Sequence, residues 1–304
     1  MSLRTDLKIL LRPSVRLSQY CTMQVGGTAQ YFAEPAFEEE LTDLLDYARQ
    51  EDLPFMILGK GSNVIFPEEG YPGLVITLIH YEQDKICFDS EKCKVRASAG
   101  VTLYRLALAC RDQGLGGAEF LANIPGTVGG GLVMNAGFSR FEGQTHEIGD
   151  IAEEVLVMNP DAKKMRLAKK DLEFSYRRSN LGDRIVLEGT FRLWRRNPKQ
   201  IQYEISANFE YRNTKQDLRH PSSGSIFKNP PAPLPTAGQL IEKLGLKGSR
   251  VGNAMISEKH GNYMINVGGA KSSDLVQLIQ KTQKAVLDAT GIFLETEVRI
   301  IGKP

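Results

Sequence analysis

Between Glu38 and Asp52, Leu41, Leu44, Leu45 and Ala48 recur three and four positions apart, with acidic and polar residues between them, after a Glu34-Pro35 step. That spacing puts all four on one face of an amphipathic helix. The pattern then changes. Phe55-Met56-Ile57-Leu58 is a short unbroken apolar run, Gly59-Lys60-Gly61-Ser62-Asn63 follows it, and Val64-Ile65-Phe66 is apolar again. This reads as strand, glycine loop and strand in direct succession. Residues 85–99 read as a hairpin turning at Asp89-Ser90-Glu91-Lys92, and Leu103, Leu106, Ala107 and Cys110 as the buried stripe of a helix closed by Gly114. Two further strands flank the turn Asn159-Pro160-Asp161, and a long one runs from Arg184 to Trp194.

The pattern shifts again near residue 200. Asn197-Pro198 starts a helix whose Ile201, Ile205 and Phe209 face inward, whereas the tract Pro230-Pro231-Ala232-Pro233-Leu234-Pro235 belongs to no regular helix. A helix from Ala237 to Leu244, a longer one from Ser273 to Ala289 and a closing strand from Leu294 to Ile301 complete a second α/β unit. The first half is long enough to divide once more, near residue 80.

Composition narrows the classes of function. With 304 residues at 41% hydrophobic, the chain can bury two or three modest cores. Lys plus Arg number 38 against 36 for Asp plus Glu, and a net charge of +2 gives no reason to expect a general polyanion-binding surface, so no nucleic-acid partner is expected. The start carries only the short apolar run Ile9-Leu10-Leu11, and no stretch approaches the roughly 18 apolar residues of a membrane span. A cytoplasmic protein without membrane insertion is the expectation. Cys21, Cys87, Cys93 and Cys110 have neither zinc-site spacing nor the density of a secreted scaffold, so free thiols and no metal are expected.

The chemistry is concentrated in glycine. Residues 123–137, Asn-Ile-Pro-Gly-Thr-Val-Gly-Gly-Gly-Leu-Val-Met-Asn-Ala-Gly, match neither the Walker A loop nor the G-x-G-x-x-G dinucleotide fingerprint. Either glycine segment alone could be plain turn chemistry. As a pair they could neutralise a diphosphate with backbone amides, helped by the side chains of Ser62, Asn63 and Thr127. This suits a dinucleotide pyrophosphate held outside the Rossmann geometry.

These loops, together with Tyr176-Arg177-Arg178-Ser179, Gly224-Ser225-Ile226-Phe227-Lys228-Asn229-Pro230 and Leu294-Glu295-Thr296-Glu297-Val298-Arg299, closely resemble the bacterial UDP-N-acetylenolpyruvoylglucosamine reductases. The likeness runs in the family's order from about Thr22 to Gly302. It implies an α+β chain: a two-lobed FAD-binding domain of the vanillyl-alcohol-oxidase (PCMH) type, then a smaller α/β substrate-binding domain. By the same likeness residues 1–80 and 81–200 are the FAD-binding lobes and 201–304 the substrate-binding domain. Non-covalent FAD would lie on Gly59, Lys60, Gly61, Ser62 and Asn63 and on Ile124, Pro125, Gly126, Thr127, Gly129, Gly130, Asn135, Ala136 and Gly137. The implied activity is that of a UDP-N-acetylmuramate dehydrogenase in peptidoglycan synthesis. NADPH is its co-substrate, UDP-N-acetylglucosamine enolpyruvate its substrate, and a monomer its expected state.

Hydride delivered to the methylene carbon of an enolpyruvyl ether builds charge at the carboxylate-bearing end, so the site needs a fixed cation or acid and a proton donor. By resemblance these are Arg177, Glu297 and Ser225. Taken alone, Arg177 beside Arg178 would read as a surface ion pair, Ser225 after Gly224 as a turn serine, and Glu297 as a strand carboxylate sharing a face with Glu295. Only the resemblance selects Glu297 over Glu295. Lys228, Asn229 and His260 match positions that hold the sugar nucleotide.

The chain also departs from the family's pattern. Cys21 stands where asparagine is usual, Thr296 where proline is usual, and the segment from Phe138 to His146 replaces a shorter turn rich in tyrosine and glycine. The spacing from Lys228 to Ala237 is too short for the tyrosine capping loop of the longer subclass, so the compact subclass is implied. Another FAD-dependent sugar or lactone oxidoreductase of the same fold would explain the glycine loops but not Arg177, Ser225 and Glu297. A nucleotide-binding module without catalysis would leave all three as accidents.

Overall fold

The amphipathic stripe read from Leu41 to Ala48 forms the helix Glu38–Gln50, with all four stripe residues buried. In the computed structural model, residues 10–140 and 145–302 are described. The Phe55–Leu58 run is a strand pairing in parallel with Leu74–Thr77. The predicted hairpin forms from Ile86–Asp89 and Lys94–Ser98. After it, Thr102 caps the helix Leu103–Asp112 by accepting a hydrogen bond from Arg105 N at 3.2 Å.

The chain divides into two compact units, neither of which is contiguous. One comprises residues 1–13, 31–60 and 73–212, and the other 14–30, 61–72 and 213–304. The division expected at residues 80 and 200 makes contiguous segments, whereas the compact units interleave along the chain. At the centre of the first is a five-stranded antiparallel sheet in the order Lys164–Ala168, Ala152–Met158, Ile185–Arg192, Lys94–Ser98, Ile86–Asp89. Val95, Ala97, Val155, Val157 and Phe191 from this sheet pack with Leu103, Leu106 and Cys110 of the capped helix and with Val128 and Leu132. Leu41, Leu44 and Leu45 join a second cluster with Leu74, Ile76 and Leu187.

In the second unit, strands Ser222–Ser225, Tyr263–Asn266, Ala254–Ile256 and Arg250–Val251 form an antiparallel sheet in that order. The helices Ala237–Lys243 and Ser272–Thr290 belong here, the longer one ending at Gly291 in the left-handed conformation (φ 72°). Early residues are tied in by side chains. Asn266 Nδ2 donates to Met23 O at 3.1 Å, and Ser272 Oγ to Phe66 O at 2.6 Å.

One expected element is shorter than its apolar pattern suggests. Of Leu294 to Ile301 only Arg299–Ile300 is a strand, paired in parallel with Val64–Ile65. The preceding residues form a single bridge, Phe227 to Thr296, and bond to the Ser225–Lys228 segment instead of continuing a ladder. All four cysteines are free thiols. Among the described residues no helix is long and apolar enough to cross a membrane, and no group of three or more His, Cys, Asp or Glu is placed to hold a metal.

Candidate functional site

Gly59 follows directly on the Phe55–Leu58 strand, and a Cβ there would stand 3.0 Å from Thr127 Oγ1 and 3.7 Å from Gly130 Cα. The two glycine-rich segments therefore meet in the first unit. The second of them is not an open loop. Val128–Val133 is a short helix whose N-cap Thr127 accepts from Gly130 N at 3.4 Å. Gly129, Gly130 and Gly131 are helical rather than left-handed, and the amides of Val128 and Gly129 are already bonded to Val101 O (2.8 Å) and Ala99 O (3.1 Å). Fewer amides remain for an anion than the glycine count suggests.

The three glycines differ in purpose. A Cβ on Gly129 would sit 3.0 Å from Ala99 Cβ, and one on Gly131 3.2 Å from Leu103 Cδ1. These two admit close packing. A Cβ on Gly130 meets only Thr127 Oγ1, at an ordinary 3.6 Å, so this glycine faces away from the core. Upstream, Ile124 and Gly126 are half-buried and Pro125 exposed; Gly126 O accepts from Leu103 N at 3.0 Å. Lys60 is exposed.

Arg177 lies in the same unit, in the turn between Phe174–Ser175 and Arg178–Ser179. Its φ of 57° is left-handed, rare for a long side chain, and its guanidinium lies 4.9 Å from the Tyr176 ring centroid. Arg177 is half-buried and Arg178 exposed, which separates the two arginines. Nη1 of Arg177 is 3.2 Å from Glu147 Oε1, and Nη2 donates to Gly137 O at 3.2 Å. Asn135 is almost fully buried and donates to Glu147 Oε2 at 2.6 Å. The Ala136 carbonyl accepts from Ile148 N, the start of the helix Ile148–Ile151, at 2.9 Å. Burial raises the Glu147 carboxyl above its ordinary value, against the lowering effect of Arg177 and Asn135. Of the unusual segment from Phe138 to His146, residues 141–144 lie outside the described residues; Gly137–Ser139 pairs with Thr145–Glu147.

The remaining candidates belong to the second unit. Gly61 has φ 64°, and a Cβ there would come within 1.9 Å of Tyr20 O, so the chain approaches too closely for any side chain. Thr22, one residue after Cys21, donates its amide to Gly61 O at 3.0 Å, and Ser62 beside it is half-buried. Ser225 follows the left-handed Gly224 (φ 74°) and lies opposite Tyr263. Ile226 O accepts from Glu297 N at 2.8 Å, and Glu295 O from Lys228 N at 2.9 Å. The serine and glutamate segments thus run side by side. Asn63 Nδ2 donates to Glu297 O at 3.0 Å, bringing the first glycine loop to the same carboxylate-bearing segment.

Side-chain geometry separates the two glutamates. Glu295 is exposed and pairs with Lys228 Nζ at 2.6 Å, whereas Glu297 is half-buried. Asn229 Oδ1 accepts from Ala237 N at 3.1 Å and so steadies the start of a helix. His260 Nδ1 accepts from Asn262 N at 3.1 Å, and its ring is 4.8 Å from that of Tyr263. Burial holds the His260 imidazole below its ordinary value, Glu242 opposing and Lys247 assisting.

Family models match both parts of this arrangement. One, the C-terminal domain of UDP-N-acetylenolpyruvoylglucosamine reductase, matches residues 216–301, and another, an FAD binding domain, matches residues 29–168. The reductase of that name from Syntrophus aciditrophicus is 41% identical over 290 residues, 94% of this chain and 90% of the relative. The chain belongs to the UDP-N-acetylenolpyruvoylglucosamine reductase family. The Synechocystis member is 37% identical over 302 residues, covering 97% of this chain and 92% of its own. The crystal structure of the Thermus caldophilus reductase superposes with a TM-score of 0.79 at 33% identity, covering 95% of this chain and 99% of that one. The α+β class expected from the sequence holds.

Bare backbone at Gly59, where a Cβ would crowd Thr127 Oγ1 at 3.0 Å, beside the open side of Gly130, fits a cofactor pressed against main chain. Asn135 Nδ2 donates to Glu147 and Gly137 O accepts from Arg177, so these two residues also touch the Arg177–Glu147 pair. Sequence reasoning missed Glu147. Its one signal was the Glu-x-x-Asp spacing to Asp150, which forms a capping box at Ile148–Ile151.

Proposed function

We propose that this chain reduces the enolpyruvyl ether of UDP-N-acetylglucosamine enolpyruvate to UDP-N-acetylmuramate, with NADPH as hydride source and non-covalent FAD. The observation that carries the reading is the pairing of the Ser225–Lys228 and Glu295–Val298 segments. It keeps a half-buried hydroxyl and a half-buried carboxyl on adjoining backbone, as a proton-donating site requires. FAD, when bound, supplies reversible hydride transfer, and the glycine segments at Gly59–Asn63 and Gly126–Gly130 would hold it. Hydride arriving at the methylene carbon leaves negative charge on the carboxylate-bearing carbon. Arg177 offers a permanently charged planar fork to that carboxylate as it becomes an enediolate. Ser225 donates its hydroxyl proton to the enolate carbon, and Glu297 in its protonated form gives a hydrogen bond to the developing charge. Lys228, Asn229 and His260 hold the nucleotide sugar. The protein works as a cytoplasmic monomer.

Purified protein tests the reading. It should be yellow, release its flavin with acid, bleach with NADPH and recover its colour with the enolpyruvyl sugar nucleotide. Colour that returns with an unrelated sugar or lactone and not with this substrate would replace the reading with that of another flavin oxidoreductase.

A further inference from the structure

Glu147 is a half-buried carboxylate that the proposed chemistry does not use, yet the structure has built a seat around it. One oxygen faces Arg177 Nη1 at 3.2 Å, and the other accepts from Asn135 Nδ2 at 2.6 Å. Asn135 has no freedom to do otherwise. Its Nδ2 also reaches Ser175 O at 3.0 Å, its Oδ1 accepts from Gly149 N at 3.0 Å, and only 1% of the residue is exposed. Gly137 completes the seat. Its carbonyl takes Arg177 Nη2, and a Cβ there would lie 2.7 Å from His146 O, 2.8 Å from Glu147 Cγ and 3.0 Å from Arg177 Nη1. A side chain here would crowd both the hairpin backbone and the pair.

We propose that Glu147 is a positioning residue for Arg177, and that Asn135 and Gly137 serve this seat rather than the cofactor. The inference rests on the reading of Arg177 as the cation that meets the substrate carboxylate. A guanidinium held by fixed oxygens on two of its nitrogens is oriented before substrate arrives. The carboxylate beside it also offsets part of its charge, so the resting substrate gains little from the arginine. The benefit comes when charge accumulates in the transition state, and this raises turnover instead of ground-state affinity.

A double-mutant cycle tests this in the FAD-loaded protein, using Glu147→Gln, Arg177→Lys and both together, with Glu154→Gln as a surface control. Three quantities are read: flavin reduction by NADPH, flavin reoxidation by the enolpyruvyl sugar nucleotide, and the Kd of that nucleotide for the oxidised protein from the change in flavin absorbance. Glu147→Gln should leave reduction unchanged, keep or lower Kd, and slow reoxidation about tenfold. Added to Arg177→Lys, it should cost less than about twofold more, because its effect passes through the arginine. Glu147→Asp, which keeps the charge, should recover part of the rate, and it carries the cycle if Glu147→Gln does not fold. Additive losses, equal slowing of both half-reactions, or a weaker Kd with normal reoxidation would each overturn the proposal. Wild-type protein that NADPH reduces but the sugar nucleotide fails to reoxidise overturns the reading of the substrate, and the inference with it.

Discussion

Asn262 bonds both backbone groups of Phe227: its Oδ1 accepts from Phe227 N at 2.9 Å, and its Nδ2 donates to Phe227 O at 2.8 Å. Its own carbonyl accepts from Ile226 N at 2.9 Å. The residue is 4% exposed, so neither bond can be replaced by water without rearrangement. One amide thus fixes the loop that leaves Ser225. Asn262→Ala should lower stability by about 1–3 kcal/mol and slow flavin reoxidation more than reduction. Asn262→Asp turns a carboxyl oxygen toward Phe227 O in a buried site and should cost at least as much as Asn262→Ala. Thermal melts and stopped-flow absorbance measure both effects; equal slowing of the half-reactions would detach Asn262 from Ser225.

Gly130 and Gly129 should respond in opposite ways. An alanine at the outward Gly130 meets only an ordinary contact and gains helix propensity, so the protein should be more stable by about 0.5–1 kcal/mol yet bind FAD more weakly. Valine at Gly129 presses on Ala99 and should lower stability instead. Melting of the flavin-free protein, with the flavin-to-protein ratio after reconstitution, separates the cases. Full FAD affinity in Gly130→Val would remove the cofactor from this face.

Ser225→Ala should reduce its flavin with NADPH at a near-normal rate and lose about 10²-fold or more in reoxidation, the usual size of a lost general acid. Damage of equal size in both half-reactions would make Ser225 a structural residue.

Glu297 and Glu295 are separated by exposure, and their variants should be separated too. Glu295→Gln loses one exposed ion pair to Lys228 and should stay within a few fold of wild type. Glu297→Ala should lose most of the reoxidation rate, while Glu297→Gln keeps a donor and should lose less. A glutamine variant as slow as the alanine variant would mean that the carboxyl moves a proton.

His260 gives a pH signature. Its imidazole is held below the ordinary 6.5, chiefly by burial, so between the two values the unfolded chain binds more protons than the folded one. The associated stability is complete above about pH 6.5 and is lost as the pH falls through that value toward the lower folded one. The melting temperature should fall from pH 7 to pH 5, and His260→Gln should flatten that fall. An unchanged slope would assign the acid sensitivity to other groups.

What was legible in the sequence was whatever repeats over a short range. The Leu41, Leu44, Leu45 and Ala48 stripe, the hairpin around Asp89 and the paired strands flanking Asn159 all follow from local period and turn chemistry, and all form. Leu294 to Ile301 reads as one strand because apolar alternation reports exposure, and the partner of each amide does not enter the pattern. Gly129 to Gly131 read as an open loop because glycine disfavours helix on its own, and the tight packing against Ala99 and Leu103 that demands it lies elsewhere in the chain. The role of Glu147 was hidden for a related reason. Its partner Arg177 is thirty positions away, and nothing in a lone glutamate indicates which cation it will face.

The bond from Asn63 to Glu297 joins residues 234 positions apart. A ribosome adding about 5–20 residues each second delivers the glutamate on the order of 10 to 50 s after the asparagine. During that interval Val64 and Ile65 lack the strand that will lie beside them, and Met23 O lacks its donor from Asn266. The early segments of the second unit must therefore leave the exit tunnel unfinished and stay available for partners not yet translated. A glycine loop bonded to a residue beyond 290 is therefore complete only when nearly the whole chain has been made.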